Sequence, residues 1–243
     1  MKFQLKYQPF GERSILIVWP AKIDTTILND VLNFKHKIEI ELTSKFISIN
    51  NAYNSILITY SIEPLVLDEE IERLKSLYNS LGKIEKRTSR LWKLPVCYDA
   101  SFGMDLKGMS QEKNLSVETI IKRHSQPKYT IYFIGFLPGF LYLGGLDKTL
   151  FTPRKATPRL KIEKGAVGIG GEQTGVYPSA SPGGWNIIGN SPIDFFNVLQ
   201  NPPCFAKAGD VIQFYPISLE EHENIKTLVE AGVYQIESEV VND

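Results

Sequence analysis

The segment Thr152-Pro153-Arg154-Lys155-Ala156-Thr157-Pro158-Arg159 places three cations within six positions. Each of its arginines follows a proline, whose fixed φ stiffens the chain. A guanidinium is a planar fork that matches a carboxylate or a phosphate. Arg154 and Arg159 are therefore candidates for holding an anion. Ion pairs within the fold are the other use of such residues, and the residues alone leave both open. His124 closes an apolar-faced helical pattern beside Ser125. An imidazole titrates near neutrality, so His124 is a candidate acid or base. A helix-end histidine interacting with the helix dipole is the alternative. His36 and His222 lie among charged residues and read as surface groups. Gln173, Thr174 and Tyr177 fall between glycines and can line a cleft. The run Ser179-Ala180-Ser181-Pro182-Gly183-Gly184-Trp185-Asn186 reads as a tight turn that feeds an aromatic into a strand, as core or as a ligand platform.

Two further patterns are glycine-rich, Gly135 to Gly145 and Gly165 to Gly171. Neither has the spacing of a phosphate loop and neither opens a helix, so the Walker and dinucleotide readings fail. Turns of a β domain, or backbone N–H groups presented to an anion, are the remaining uses. No serine sits in a GxSxG elbow. No histidine pair has HExxH spacing and no Cys/His cluster has zinc spacing, so no metal is expected.

The elements that must position these groups follow from composition and pattern. The chain has 243 residues, enough for one large domain or two small ones. The 27 basic side chains balance 27 acidic ones, which argues against a nucleic-acid partner. Cys97 and Cys204 make no disulfide framework and read as reduced core residues. The N-terminus lacks a secretory pattern, and no apolar run approaches membrane-spanning length. The expectation is a soluble, cytoplasmic protein. Twelve of the 18 glycines lie between Gly135 and Gly189, and only Gly11 and Gly82 fall in the first 100 residues. This partition predicts two domains, 1–94 and 95–243, with the boundary near Leu94-Pro95. In the first, strands are expected at Phe3-Tyr7, Ser14-Trp19, Phe46-Ile49, Ser55-Tyr60 and Ile84-Leu94. Helices are expected after Asp24, with Ile27, Leu28, Val31 and Leu32 on one face, and from Asp68 to Leu81, with Glu69 and Arg73 paired. The order, close to βαββαβ, predicts a ferredoxin-like α+β sandwich. The second has one plausible helix, Val117 to His124, capped by Ser116. Short strands between glycine and proline turns predict a mainly β barrel or sandwich. The tail from Leu219 shows a weak extended pattern at Val233, Tyr234 and Ile236.

Four segments together are more specific. They are Leu94-Pro95-Val96-Cys97-Tyr98 with Phe102-Gly103-Met104-Asp105-Leu106; His124-Ser125 with Gly135-Phe136-Leu137-Pro138-Gly139-Phe140-Leu141-Tyr142-Leu143; Pro153-Arg154 through Pro158-Arg159 with Gly171-Glu172-Gln173-Thr174-Gly175-Val176-Tyr177-Pro178; and Ser181-Pro182-Gly183-Gly184-Trp185-Asn186-Ile187-Ile188-Gly189. Ala208-Gly209-Asp210-Val211-Ile212-Gln213-Phe214 also fits, and Pro9-Phe10-Gly11-Glu12-Arg13 does so more weakly. In this order and spacing the chain resembles the allophanate hydrolase subunit 1 family, which includes the B subunit of 5-oxoprolinase and Kip-type kinase inhibitors. The departures are Leu141 within the GFxPGFxYL pattern, Glu163-Lys164 in the usual VPAGS, Glu12 in the opening GD, and Asn190 in place of a family arginine.

The resemblance implies an N-terminal α+β domain followed by a cyclophilin-like barrel. It implies two partners of the 5-oxoprolinase assembly, its homologous C subunit, with its A subunit as third protein. Together such proteins open 5-oxo-L-proline to L-glutamate with ATP and Mg2+, with no tightly bound cofactor in this chain. A regulatory inhibitor docked on a sensor histidine kinase is the alternative within the same family. For lactam opening, Arg154 and Arg159 are the expected anion holders and His124 the expected acid or base, oriented by Asp105. Gln173 and Tyr177 are expected to contact substrate. The change at Asn190 is expected to weaken the anion site.

Overall fold

The computed structural model describes residues 2–42, 46–61, 66–82 and 88–242. The chain divides into two compact units, Met1–Arg87 and Thr88–Asp243.

The first unit runs β1 (Lys6–Pro9), β2 (Ser14–Val18), α1 (Thr25–Glu41), β3 (Phe46–Asn51), β4 (Ser55–Tyr60) and α2 (Leu67–Asn79). Its sheet has the order β1-β2-β4-β3, with every neighbouring pair antiparallel. Ile15 and Ile17 of β2 and Ile56 and Ile58 of β4 share one face by the strand period of two. They are buried with Val31, Phe34 and Ile38 of α1 and Leu74 and Tyr78 of α2. Asp24 caps α1 by accepting from Thr26 N at 2.7 Å. Asp30 is buried in this interface and accepts from Trp19 Nε1 at 2.7 Å and from the Tyr78 hydroxyl at 2.6 Å. One ion pair of α2 joins Arg73 to Glu70 at 3.9 Å. The unit is α+β, but among the described residues no strand after α2 joins its sheet. The edge beside β2 is filled by β1 from the N-terminal side, and the strand after α2 belongs to the second unit. Of the extended segment expected from Ile84, residues 84–87 lie outside the described residues.

The second unit begins with β5 (Thr88–Cys97), so the expected boundary at Leu94-Pro95 falls inside a strand. A proline is tolerated there because the pairing of β5 with β14 (Ser238–Asn242) ends at Trp92. After β5 come α3 (Leu106–Lys113), α4 (Val117–Ser125), β6 (Lys128–Ile134) and β7 (Leu141–Gly144). A single 3-10 turn, β8 (Arg159–Ile162), β9 (Ala166–Gly170), β10 (Gln173–Val176), β11 (Ser181–Gly183) and β12 (Asn186–Asn190) follow. The unit ends with β13 (Val211–Ile217), α5 (Leu219–Glu230) and β14. The strands β12-β9-β10-β7-β6-β13-β5 are neighbours in that order, and β12 pairs with β5, closing a seven-stranded barrel. The β13–β5 pair is parallel and the others are antiparallel. β14 extends the sheet from the first half of β5. Asp210 fastens this start: its carboxylate accepts from Arg90 N and Trp92 Nε1, both at 3.0 Å.

The expectation of one helix in this unit is corrected. α3 and α5 are present as well, and α5 opens with a capping box between Ser218 and Glu221. The expected extended stretch at Val233–Ile236 is irregular, and the strand follows it at Ser238. Cys97 and Cys204 are free thiols, with both pKa values raised by burial. Among the described residues, no helix is long and apolar enough to cross a membrane.

Candidate functional site

Strand alternation gives the barrel wall two different sides. In β7, Leu141 and Leu143 point into the barrel core, whereas Phe140 and Tyr142 belong to a separate outer cluster. In β10, Thr174 and Val176 face inward, which turns Gln173, Gly175 and Tyr177 outward. In β9, Val167 and Ile169 are inside and Gly168 and Gly170 outside.

The interior is packed, not open. Leu94, Val96, Ile131, Val167, Ile169, Ile188, Ile212 and Phe214 fill it. His124, at the end of α4, is inserted among them and is 0% exposed. Its ring stacks on Phe214 with centroids 4.8 Å apart. Nδ1 lies 2.7 Å from the Tyr98 hydroxyl and Nε2 lies 2.7 Å from Thr174 Oγ1. Thr174 also donates to Gly168 O at 3.1 Å. One proton arrangement satisfies all three contacts: Nε2–H donates to Thr174, and Nδ1 accepts from Tyr98. The imidazole is therefore neutral, and burial lowers its pKa to about 3. The expected pairing of His124 with Asp105 is not formed, because the partners of each lie elsewhere.

The outer side is where the sequence motifs meet. Gly168, Gly170 and Gly175 leave a bare strip of wall on which aromatic rings lie. A Cβ on Gly170 would sit 2.5 Å from the Trp185 indole, and one on Gly175 would sit 3.2 Å from the Phe140 ring. These glycines thus serve ring packing within strands, where turns were expected. Phe140 meets Tyr177 and Trp185 edge to face, each at 5.4 Å. Tyr142 stacks on Phe133 at 4.1 Å. The two-stranded β8–β11 sheet completes this cluster with Ile162. Gly139 turns the preceding loop with φ +85, and a Cβ there would meet Phe195 O at 2.9 Å.

Against this wall the Pro153 to Arg159 segment is docked onto the turn ending at Trp185. Asn186 Nδ2 donates to Pro153 O at 2.9 Å, and Lys155 N donates to Gly184 O at 2.7 Å. Arg159 donates through Nη1 to Trp185 O at 3.3 Å and through Nη2 to Asp105 Oδ1 at 2.7 Å. Lys155 Nζ reaches the same Oδ1 at 2.9 Å. Asp105 Oδ2 accepts from Ile187 N at 2.7 Å. Burial of Asp105 acts to raise its pKa, but the bonds from Arg159, Lys155 and Ile187 N outweigh it, so the net shift is downward. Two cations thus share one carboxylate. Arg154 is exposed, with no hydrogen bond or ion pair among the described residues, and its Nε lies 3.8 Å from where a Cβ on Gly184 would be. Its charge reaches the Tyr142 and Tyr177 phenols, where it opposes the upward push of burial.

The remaining expected residues divide. Gln173 is half-buried on the outward side of β10. Tyr177 is buried, and its oxygen accepts from the Trp185 backbone N–H. It therefore braces the turn, and a Cβ on Gly183 would sit 2.4 Å from that hydroxyl. Asn190 is at the far end of β12, about 13 Å along the strand from Asn186. It bonds Lys164 O and His222 Nε2, each at 2.8 Å, and so is not part of this face. His222, expected at the surface, is buried against Phe102 with rings 4.5 Å apart. Its Nδ1 still lies 3.7 Å from the exposed carboxylate of Glu223, so the charged neighbour is real but the ring itself is covered. Asn186, Gly170 and Lys155 are the contributors that sequence reasoning missed. The SPGGWN run and the three-cation segment were visible, but not that they would touch.

Residues 5–206 match the family described as carboxyltransferase domain, subdomain C and D. A Bacillus subtilis protein, named as the B subunit of 5-oxoprolinase, is 32% identical over 237 residues, covering 93% of this chain and 98% of that protein. The chain belongs to this carboxyltransferase-domain family. The crystal structure of TTHA0988 is similar with a TM-score of 0.74 and 27% identity, over 85% of this chain and 40% of that one. The fold also recurs in the crystal structure of the K. lactis urea amidolyase, with a TM-score of 0.85 and 19% identity. That match takes in 99% of this chain but 16% of the urea amidolyase, so the same fold is one segment of a much longer polypeptide.

Proposed function

We propose that this chain is the B-type subunit of a 5-oxoprolinase complex, which opens the lactam of 5-oxo-L-proline to L-glutamate with ATP. The observation that carries the reading is the convergence of the Gly135–Leu143, Pro153–Arg159, Gln173–Tyr177 and Ser181–Ile187 segments on one cationic, aromatic-walled face. The 32% identity with the Bacillus subtilis B-type protein over nearly its whole length supports it. A lactam carbonyl is a poor electrophile, and the substrate carries a carboxylate. ATP supplies a phosphoryl group that turns the lactam oxygen into a leaving group, after which water can add. The part this face is suited to is narrower: it offers an anion the exposed guanidinium of Arg154, on a segment that Asp105 holds through Arg159 and Lys155. The partners in this reading are the A and C subunits of 5-oxoprolinase, the latter homologous to this chain. ATP with Mg2+ is assigned to the assembly as a whole. No group of three or more His, Cys, Asp or Glu suited to a metal occurs among the described residues. The relatives named above lend no support to a histidine kinase as partner.

The test is glutamate release from 5-oxoproline and ATP, measured for the chain alone and after addition of the matching A and C subunits. Turnover is expected only in the reconstituted mixture. Robust turnover by the isolated chain would contradict the reading of it as one part of an assembly. So would a fully assembled mixture that leaves 5-oxoproline intact.

A further inference from the structure

The three cations of the Pro153–Arg159 segment are not equivalent. Arg159 and Lys155 both donate to Asp105 Oδ1, and Arg159 also donates to Trp185 O. Their charges are committed to holding the segment on the turn. Arg154 stands between these anchors. The backbone on either side of it is fixed, by Asn186 on Pro153 O and by Gly184 O on Lys155 N. Its guanidinium has no partner among the described residues and lies beside Gly184, where the missing side chain leaves backbone within reach. The Arg154 charge acts on the half-buried Tyr142 phenol, opposing the upward push of burial on its pKa. The fixed backbone places the fork at a defined point of the face, so binding an anion orders the side chain alone and not the segment. Net positive charge around it raises the attraction further.

Resting on the function proposed above, we infer that Arg154 is the residue that receives the substrate carboxylate, and that Arg159 and Lys155 serve the scaffold with Asp105. Carboxylate and phosphate share the chemistry that Arg154 recognises. The carboxylate is the assignment because a single free guanidinium matches its one charge and two oxygens, whereas Arg159 and Lys155 are already paired with Asp105 and cannot share the greater charge of a phosphate.

Kinetics of the reconstituted complex test this directly. Arg154→Ala removes a charge-assisted contact, so the KM for 5-oxoproline should rise roughly 10- to 100-fold. The KM for ATP should stay unchanged. Arg154→Lys should recover only part of the loss, because an ammonium cannot reproduce the bidentate fork. The side chain is exposed and unpartnered, so the melting temperature of the variant should match that of the parent. Inhibition by 2-pyrrolidinone, a lactam without the carboxylate, should be the same in both proteins. An unchanged KM for 5-oxoproline in Arg154→Ala overturns the inference. A raised KM for ATP alone overturns the carboxylate assignment in favour of a phosphate. If the unmutated complex fails to turn over 5-oxoproline, the function fails separately, and the inference is read on the chain alone. Arg154 should then react with phenylglyoxal faster than Arg159, and 5-oxoproline should protect it more than inorganic phosphate does. Equal reactivity, or no protection by 5-oxoproline, overturns it.

Discussion

His124 shows how much a single side chain's environment decides. In the unfolded chain an imidazole takes up its proton near pH 6.5, whereas burial holds the folded value down to about 3. Between these two values the unfolded state carries the extra proton. Stability is therefore full above pH 6.5 and falls as the pH falls, by about 1.4 kcal/mol per pH unit. Chemical denaturation between pH 4.5 and 6 should show this slope reduced by close to one proton in His124→Gln, whatever the variant loses at neutral pH. An identical slope in the two proteins would mean that the ring is protonated in the fold. Asp105 acts at lower pH. Its depressed pKa contributes stability that is present above the ordinary carboxylate value and lost as the pH drops through the folded one. At this scale the sequence announced the right residue types but not their surroundings. A histidine at a helix end beside Ser125 carries no mark of burial. Only the inward turn of Thr174 and the position of Tyr98 show that both ring nitrogens are occupied.

The outer wall depends on its glycines in a way the composition concealed. Twelve glycines in 55 residues read as turns, yet Gly168, Gly170 and Gly175 lie in or beside strands and make room for Phe140 and Trp185. Gly170→Ala should force the Trp185 indole to shift, at a cost of about 1–3 kcal/mol. Thermal unfolding should register the loss, and the tryptophan near-UV signal should change with it. A substitution without effect on either would place Trp185 away from β9. The first unit's elements were legible from local signals: the Ile27, Leu28, Val31 and Leu32 face of α1, the β-branched apolar run of β2, and the asparagine turn between β3 and β4. Two elements of the second unit were missed for different reasons. α5 carried a readable start in Ser218 and Glu221, but its weakly apolar face offered no stripe to confirm it. α3 buries only Leu106 and Met109, and its N-terminal Asp105 spends its carboxylate on cations, not on capping.

For the molecule as a whole, periodicity indicated a strand ahead of the glycine-rich part but not which unit it would join. β5 joins the barrel because Leu91–Cys97 pair with β13 on one side, while on the other Thr88–Trp92 pair with β14 and Cys97 with β12. Local pattern cannot reveal partners more than 100 residues away in sequence. The motif resemblance reached further than pattern, because its glycine-rich, Pro153–Arg159 and Ser181–Gly189 segments meet on the barrel's outer face, while Leu94–Tyr98, His124 and Val211–Phe214 build the wall and interior behind it. The central claim is that function resides on this face and not in the packed interior. The decisive measurement compares glutamate release, per folded molecule, by reconstituted complexes carrying Arg154→Ala or His124→Gln. Reduced turnover at subsaturating 5-oxoproline with Arg154→Ala, and near-normal turnover by the folded fraction of His124→Gln, is the predicted result. Abolished turnover in well-folded His124→Gln, with Arg154→Ala unaffected, would contradict it and return the chemistry to the barrel interior.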